Sequence, residues 1–235
     1  PLWDRAATSI LSLDGDTHHR LRRLVSKAFS PRATVRLQSL IHATITELVD
    51  ALAARGSGDV VTDVSGRYPT PIICALLGAP AQDWHLFSGW ADDIMKIFDW
   101  NVANDEPAIT AAWEHLDAYL DRMVTQRRHT LTDDLISDLI RTEDDGDRLD
   151  HAELLMLAGT LLIAGTDTTR NQLASVIHCL CDHPDQWDVL SEHPELIPDA
   201  VEELIRYYPV SFGTFRAPTE DVELAGVTIP AGTLV

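Results

Sequence analysis

Hydrophobic positions recur at helical spacing along most of the chain. Leu21, Leu24, Val25, Ala28 and Phe29 follow i, i+3, i+4, i+7, i+8. That spacing predicts an amphipathic helix entered through the Asp14-Gly15-Asp16-Thr17 turn and stopped by Pro31. Val35, Leu37, Leu40, Ile41, Ile45, Leu48, Val49 and Leu52 predict a second helix over 33–55, closed by Gly56-Ser57-Gly58. Residues 59–79 read as mostly helical around Ile72, Ile73, Leu76 and Leu77, and residues 80–105 are rich in aromatics. A long polar helix is expected over 113–128, a short one over 133–141, and an acidic turn over 143–146. Two more helices are expected at 186–191 and 198–208. Residues 1–13 carry no clear signal.

The period changes at Val210. Val222, Leu224, Val227 and Ile229 alternate about Ala225-Gly226, the pattern of a hairpin, and Thr233-Leu234-Val235 reads as the start of another strand. The pattern therefore predicts a mainly α fold with a small β portion: a helical part over 14–208 and a hairpin part over 210–235 of a single domain. An unfinished sheet edge is a poor terminus, so the domain is expected to be incomplete.

The stretch 154–169, LLMLAGTLLIAGTDTT, departs from ordinary amphipathic patterning. Asp150 is a good helix cap and Glu153, three residues on, completes a capping box. With no proline before Pro184, the helix runs about 33 residues, or about 50 Å. Its first half is apolar on every side, as in a helix through the middle of a domain. The apolar run ends too early to span a membrane, which needs about 20 residues. It turns abruptly into Ala164-Gly165-Thr166-Asp167-Thr168. Polar groups placed there oppose stability, which points to chemistry. Two residues with almost no side chain would let a flat ligand lie against the backbone. Asp167 and Thr168 are then the nearby groups able to move protons. A structural reading stands beside this one: Thr168 bonding back to the carbonyl of Ala164, with a local bulge beside Gly165.

Composition narrows the picture. The chain has 235 residues and a net charge of -19, which argues against nucleic acid as a partner. Three cysteines, Cys74, Cys179 and Cys181, suit a reducing cytoplasm better than a disulfide framework. Against the acidic background, no Asp or Glu occurs between Thr17 and Thr46, while Arg20, Arg22, Arg23, Lys27, Arg32 and Arg36 do. This basic segment, 18–36, is either a solvated face or an anion site with a docking patch for an acidic protein. His18 and Arg22, four apart, share a face and could hold a carboxylate together. Glu203 and Arg206 have the spacing of an ordinary helical ion pair. Arg216 could bind an anion or simply be exposed. Cys179 and His183 share one helix face, His178 and Cys181 another. Two ligands do not close a zinc site, so no metal is expected in this chain.

These pieces, from DGDTHHRLRRLVSKAFSPR through AGTDTT and EELIR to FRAPTEDVELAGVTIPAG, together resemble a cytochrome P-450, a haem-thiolate monooxygenase of the soluble bacterial type. The resemblance implies a cytoplasmic enzyme that takes electrons from a ferredoxin-type donor, activates dioxygen at haem and inserts one oxygen atom into a small organic substrate. Under it, Asp167 and Thr168 match the acid–alcohol pair that relays protons for cleavage of the O–O bond. Ala164 and Gly165 match the small residues that make room for oxygen and substrate. His18, Arg22 and Arg216 match the partners of the haem propionates. Glu203 and Arg206 match the family's helix pair behind the haem, and the helix around Arg22 and Arg23 the donor's docking face. Thr160, Ile163, Ala164 and Phe212 would line the substrate pocket. The family's axial cysteine, in a Gly-rich loop after a Phe, has no counterpart here, nor does its N-terminal sheet region, so the chain by itself is expected to be inactive. A helical binding protein without catalysis, or a scaffold acting through 18–36, are the rival readings.

Overall fold

The computed structural model describes residues 2–28, 31–99, 101–144, 146–211 and 213–235, without the side chains of residues 3, 4, 31–34, 143 and 144. Ten α-helices and two short hairpins follow one another among these residues. The helices are α1 (Leu2–Thr8), α2 (Gly15–Ala28), α3 (Pro31–Arg55), α4 (Pro69–Leu77), α5 (Trp84–Met95), α6 (Val102–His129), α7 (Leu135–Arg141), α8 (His151–Asp182), α9 (Pro184–Glu192) and α10 (Ile197–Tyr207). The first hairpin pairs β1 (Glu143–Asp144) with β2 (Asp147–Arg148), the second β3 (Val222–Leu224) with β4 (Val227–Ile229). The fold is mainly α, as the periodicity predicts. Two compact units divide it, Pro1–Ala174 and Ser175–Val235.

The first unit packs around leucines that the helical period places on inward faces. Leu21 and Leu24 of α2, Leu77 of α4, Leu116 and Leu120 of α6, and Leu154 of α8 are buried in one cluster. Fully burying each such side chain stabilises the fold by about 1.5–3 kcal/mol. The aromatic segment contributes Phe87 of α5, which is buried and meets Trp90 and Tyr119 edge-on at centroid distances of 5.3 and 4.8 Å. Helix α6 is longer and more deeply involved than its polar sequence suggests. Ile109, Ala112, Leu116, Leu120, Met123 and Val124 bury one stripe of it beneath a charged outer face.

Helix α1 has no counterpart in the sequence reading, because distant partners hold it. Arg5 donates to both carboxylate oxygens of Asp117 on α6, at 2.5 and 2.8 Å, and lies 3.7 Å over the Trp113 ring. Before α4, residues Val61–Ser65 form a π-helical turn. Helix α4 ends at Gly78 in the left-handed region, φ 85°. A Cβ there would fall 2.2 Å from Asp134 Oδ2, so this position needs glycine on both counts.

The second unit carries the end of α8, then α9, α10 and the second hairpin. Ala225 and Gly226 both have positive φ, 51° and 80°, the requirement of the two-residue turn that matches strand twist. The expected hairpin is present, with Val222 opposite Ile229 and Leu224 opposite Val227. Residues 233–235 form no strand. Val235 instead exchanges two backbone hydrogen bonds with Arg216, at 2.8 and 2.9 Å. Among the described residues no helix is long and apolar enough to cross a membrane.

Candidate functional site

Helix α8 is built as its sequence predicts. The Asp150 side chain accepts the Glu153 N–H at 2.8 Å, and the Glu153 carboxylate accepts the Asp150 N–H at 2.9 Å. This closed capping box satisfies two of the otherwise orphaned donors of the first turn. One face then buries Leu154, Leu157, Ala158, Leu162 and Thr166. Ala164 and Thr168 fall on the other side of the helix and are exposed. A helix otherwise enclosed in the core thus presents one open, small-residue face, with a hydroxyl on it.

The predicted back-bond is present: the Thr168 hydroxyl donates to the Ala164 carbonyl at 2.6 Å. Thr166 does the same to Leu162 at 2.7 Å, from the buried side. The expected bulge is not. The helix is α-helical from His151 to Asp182 without interruption. A carbonyl oxygen has two lone pairs, so the hydroxyl shares the acceptor with the ladder N–H instead of displacing it.

Gly165 also departs from expectation. Its missing side chain admits α4: a Cβ would lie 2.5 Å from Ile73 Cδ1. On its Cβ side the glycine makes room for a neighbouring helix rather than for a ligand, and Ala164 carries the open face. Gly165→Ala is expected to destabilise the protein by about 1–3 kcal/mol through overpacking. Adding Ile73→Val, which removes the nearest atom Cδ1 at small cost, should recover part of that in a thermal melt. An unchanged melting temperature for the single variant would contradict the packing.

Asp167 is half-buried, and Asn171, one turn on, donates to its Oδ2 at 3.1 Å. Asn171 was not singled out by its sequence, although its i+4 spacing from the acid was the available signal. Next to it, Arg170 donates to Asp92 Oδ1 of α5 at 2.5 Å, while its Nε and Nη2 are buried without an acceptor. Thr160 is half-buried beside Ser9, oxygen to oxygen 3.5 Å, and Ile163 packs against the core cluster. Phe212 lies outside the described residues.

On α2, His18 is half-buried and Arg22 exposed, one turn apart on the same face. The other basic residues of this segment divide into two groups. Arg20 points inward and is saturated, binding Asp147 at 2.6 Å and Glu153 at 2.5 Å. Arg36 pairs with Asp133 and Asp138. These two are structural clamps and leave the exposed basic surface narrower than the charge count implies. Their acceptors lie about a hundred residues downstream, where a local reading of charge does not find them. By contrast, the Arg22 guanidinium makes no hydrogen bond or ion pair among the described residues.

In the second unit Glu203 and Arg206 of α10 form a two-pronged pair at 2.7 and 2.6 Å, and the Arg206 hydrogen bond holds the Glu203 carboxyl below its ordinary range. Arg216 is exposed, with Nη1 on the Phe215 carbonyl at 2.7 Å. No metal-binding cluster occurs among the described residues, and His183 Nδ1 bonds the Cys179 carbonyl at 2.8 Å. All three cysteines are helical: Cys74 on α4, Cys179 and Cys181 on α8. The Cys74 thiol is pushed up to about 12 by burial, and further by the Asp83 carboxylate, so it stays protonated.

Comparison with known proteins agrees with this architecture. The cytochrome P450 family model matches residues 82–235. Mycinamicin IV hydroxylase/epoxidase of Micromonospora griseorubida is 39% identical over 95% of this chain and 56% of its own length. Vitamin D(3) 25-hydroxylase of Pseudonocardia autotrophica is 39% identical over 96% of this chain and 55% of its own. The ligand-free structure of cytochrome P450 TbtJ1 superimposes with a TM-score of 0.90 at 32% identity, covering 99% of this chain and 62% of that one. The chain belongs to the cytochrome P450 family, and spans about half the length of the curated relatives it matches.

Members of that family bind haem, and two features of this chain suit parts of that group, although its three cysteines all lie within helices and none matches the family's axial ligand. Haem has an apolar face and an edge with two carboxylates. The open Ala164–Thr168 face of α8 offers a surface without bulk, and Arg22 offers an uncommitted guanidinium beside His18, the donor chemistry a carboxylate requires. The bound group would be held there by these side chains.

Proposed function

We propose that this chain forms the oxygen-activating and cofactor-gripping portion of a haem-dependent monooxygenase that inserts one oxygen atom into an organic substrate. The observation that carries the proposal is the pairing of Asp167 with Thr168 where α8 opens. An acid held by a hydrogen bond stands next to a hydroxyl on an exposed small-residue face. Haem, when bound, supplies the activation of dioxygen and the redox chemistry. The chain supplies protons and placement. Thr168 Oγ1 donates to a carbonyl and keeps lone pairs to accept a proton, and Asp167 Oδ1 has no partner among the described residues. Together the two side chains can pass a proton from the protein surface to the open face. Ala164 leaves space beside them.

His18 and Arg22 would hold a propionate, and Arg216, in the second unit, would bind an anion. Thr160 and Ile163 would line the substrate pocket. Glu203 and Arg206 would brace α10. The relatives are named as a hydroxylase/epoxidase and a hydroxylase, which supports oxygen insertion as the reaction class. Their named compounds, mycinamicin IV and vitamin D(3), are the first substrates to try. A ferredoxin-type protein in the cytoplasm is the proposed electron donor, docking near Arg22 and Arg23.

The reduced, carbon-monoxide-bound absorption spectrum of the full-length protein tests the reading directly. A haem-thiolate band is expected, and its absence would defeat the proposal. Arg22→Ala should weaken haem retention by about tenfold, the effect of losing one charge-assisted contact of 1.5–3 kcal/mol or slightly less. Haem loss to apomyoglobin measures this independently of activity, and unchanged retention would remove Arg22 from the cradle.

A further inference from the structure

The charged and polar groups around Asp167 are arranged asymmetrically. Arg170 is three residues further along α8 and Asn171 four, so both neighbour Asp167 on the helix surface. In a solvated helix, an arginine at that spacing ordinarily pairs with the acid. Here it does not. Arg170 Nη1 reaches across to Asp92 Oδ1 on α5 at 2.5 Å, and the neutral amide of Asn171 takes Asp167 Oδ2 at 3.1 Å. The difference matters for an acid that must accept and release a proton. A guanidinium bonded to a carboxylate strongly favours its charged form and holds the proton off, whereas a neutral amide orients the group with a much weaker bias.

Two further observations bear on this. Arg170 Nε and Nη2 are buried and have no acceptor, so the cation carries two unmatched donors in a low-dielectric place. Among the described residues Asp92 is the one acid paired with this guanidinium, and it is half-exposed on a different helix. Release Arg170 from Asp92, and the nearest carboxylate along its own helix is Asp167.

We infer that Asp92 is a positioning residue that keeps Arg170 off Asp167, leaving the acid in the hold of the neutral donor Asn171 and competent to transfer protons. The inference rests on the proton-transfer role proposed for Asp167 and adds two residues to it, one of them on α5.

The test uses the full-length, haem-loaded enzyme, with NADH and a plant-type ferredoxin and its reductase as electron source. Oxygen consumption and hydrogen peroxide release are followed, together with crystal structures of the variants. Asp92→Asn should slow NADH-driven turnover about tenfold, part of the hundredfold or more that a proton-transfer group contributes. Its structure should show Arg170 on Asp167. Arg170→Gln alone should turn over like the parent, and Asp92→Asn combined with Arg170→Gln should recover the parent rate. A purely structural ion pair predicts the opposite: both single variants equally impaired and the double no better. Asp167→Asn is the control. If it turns over at the parent rate, the proposed proton transfer itself is wrong. If it is slow while Asp92→Asn is not, or the double variant is not restored, only the present inference is overturned. Asn171→Ala should disorder the Asp167 carboxylate and slow turnover, with Asn171→Gln restoring both. A single ordered Asp167 conformer in Asn171→Ala would count against the amide's role.

Discussion

Thr168→Ala in the full-length enzyme is expected to keep consuming NADH while releasing the electrons as hydrogen peroxide in place of product. The Thr168 hydroxyl is the polar group on the open face of α8, one turn beyond Ala164. Alanine removes it and little else, since alanine is the best helix former and the position is exposed. Substrate binding and fold should therefore survive, and the loss should fall on the step that needs a delivered proton. Product formed per NADH should drop by roughly a hundredfold, the lower end of what general acid–base groups contribute. Thr168→Ser keeps the hydroxyl and should stay near the parent. Product formation that remains fully coupled to NADH use in Thr168→Ala would end the proton-transfer reading.

The largest effect on stability is expected at Asp134, the N-cap of α7. Its carboxylate is buried, accepts the Ser137 N–H at 2.8 Å, and takes Thr132 Oγ1 at 2.5 Å and Arg127 Nε at 2.6 Å. Arg127 goes on to the Gly78 carbonyl at 2.9 Å. Asp134→Ala strands a mostly buried guanidinium and removes a cap, so a loss of about 3–5 kcal/mol is expected. At roughly 2–4 °C per kcal/mol for a unit of this size, the melting temperature should fall by about 10 °C. A shift of a degree or two would mean that the network is solvated.

Acid should reveal the same network. Burial alone would push the Asp134 carboxyl up, but hydrogen bonds from Thr132, the Ser137 N–H and Arg127 outweigh it and hold the group below its ordinary range. A depressed folded value adds stability above the ordinary carboxylate pKa of about 4, and that stability is lost as pH falls through the folded value. The melting difference between the parent and Asp134→Asn should accordingly narrow below about pH 4.

Local chemistry was mostly readable from the chain where both partners lie within one turn of each other. The capping box at Asp150 and Glu153, the Thr168 back-bond, the Glu203–Arg206 pair and the Ala225-Gly226 turn all have their cause within five residues. Apart from Asn171, one turn from Asp167, what escaped has its cause far away. Helix α1 depends on Asp117 and Trp113, and Arg20 and Arg36 look like surface charge until their acids are found downstream. Gly165 invites a reading in terms of ligand space, yet Ile73 of α4 occupies that side. The inward stripe of α6 was obscured because acids and arginines crowd its outer face. In the candidate site, the acid and hydroxyl were evident from spacing. Asp92 was not, because nothing near it in sequence marks it as facing Arg170.

Arg20 has a kinetic consequence as well as a structural one. Its acceptors lie 127 and 133 residues later in the chain, and Glu153 must serve at once as helix cap and counter-ion. On a ribosome, therefore, the cationic helix emerges long before the acids that orient it, and closing so long a loop is entropically slow. Helix α2 gains these anchors only when α8 has started, so the bearing of His18 and Arg22 is set late in synthesis, by the same residue that closes the α8 capping box.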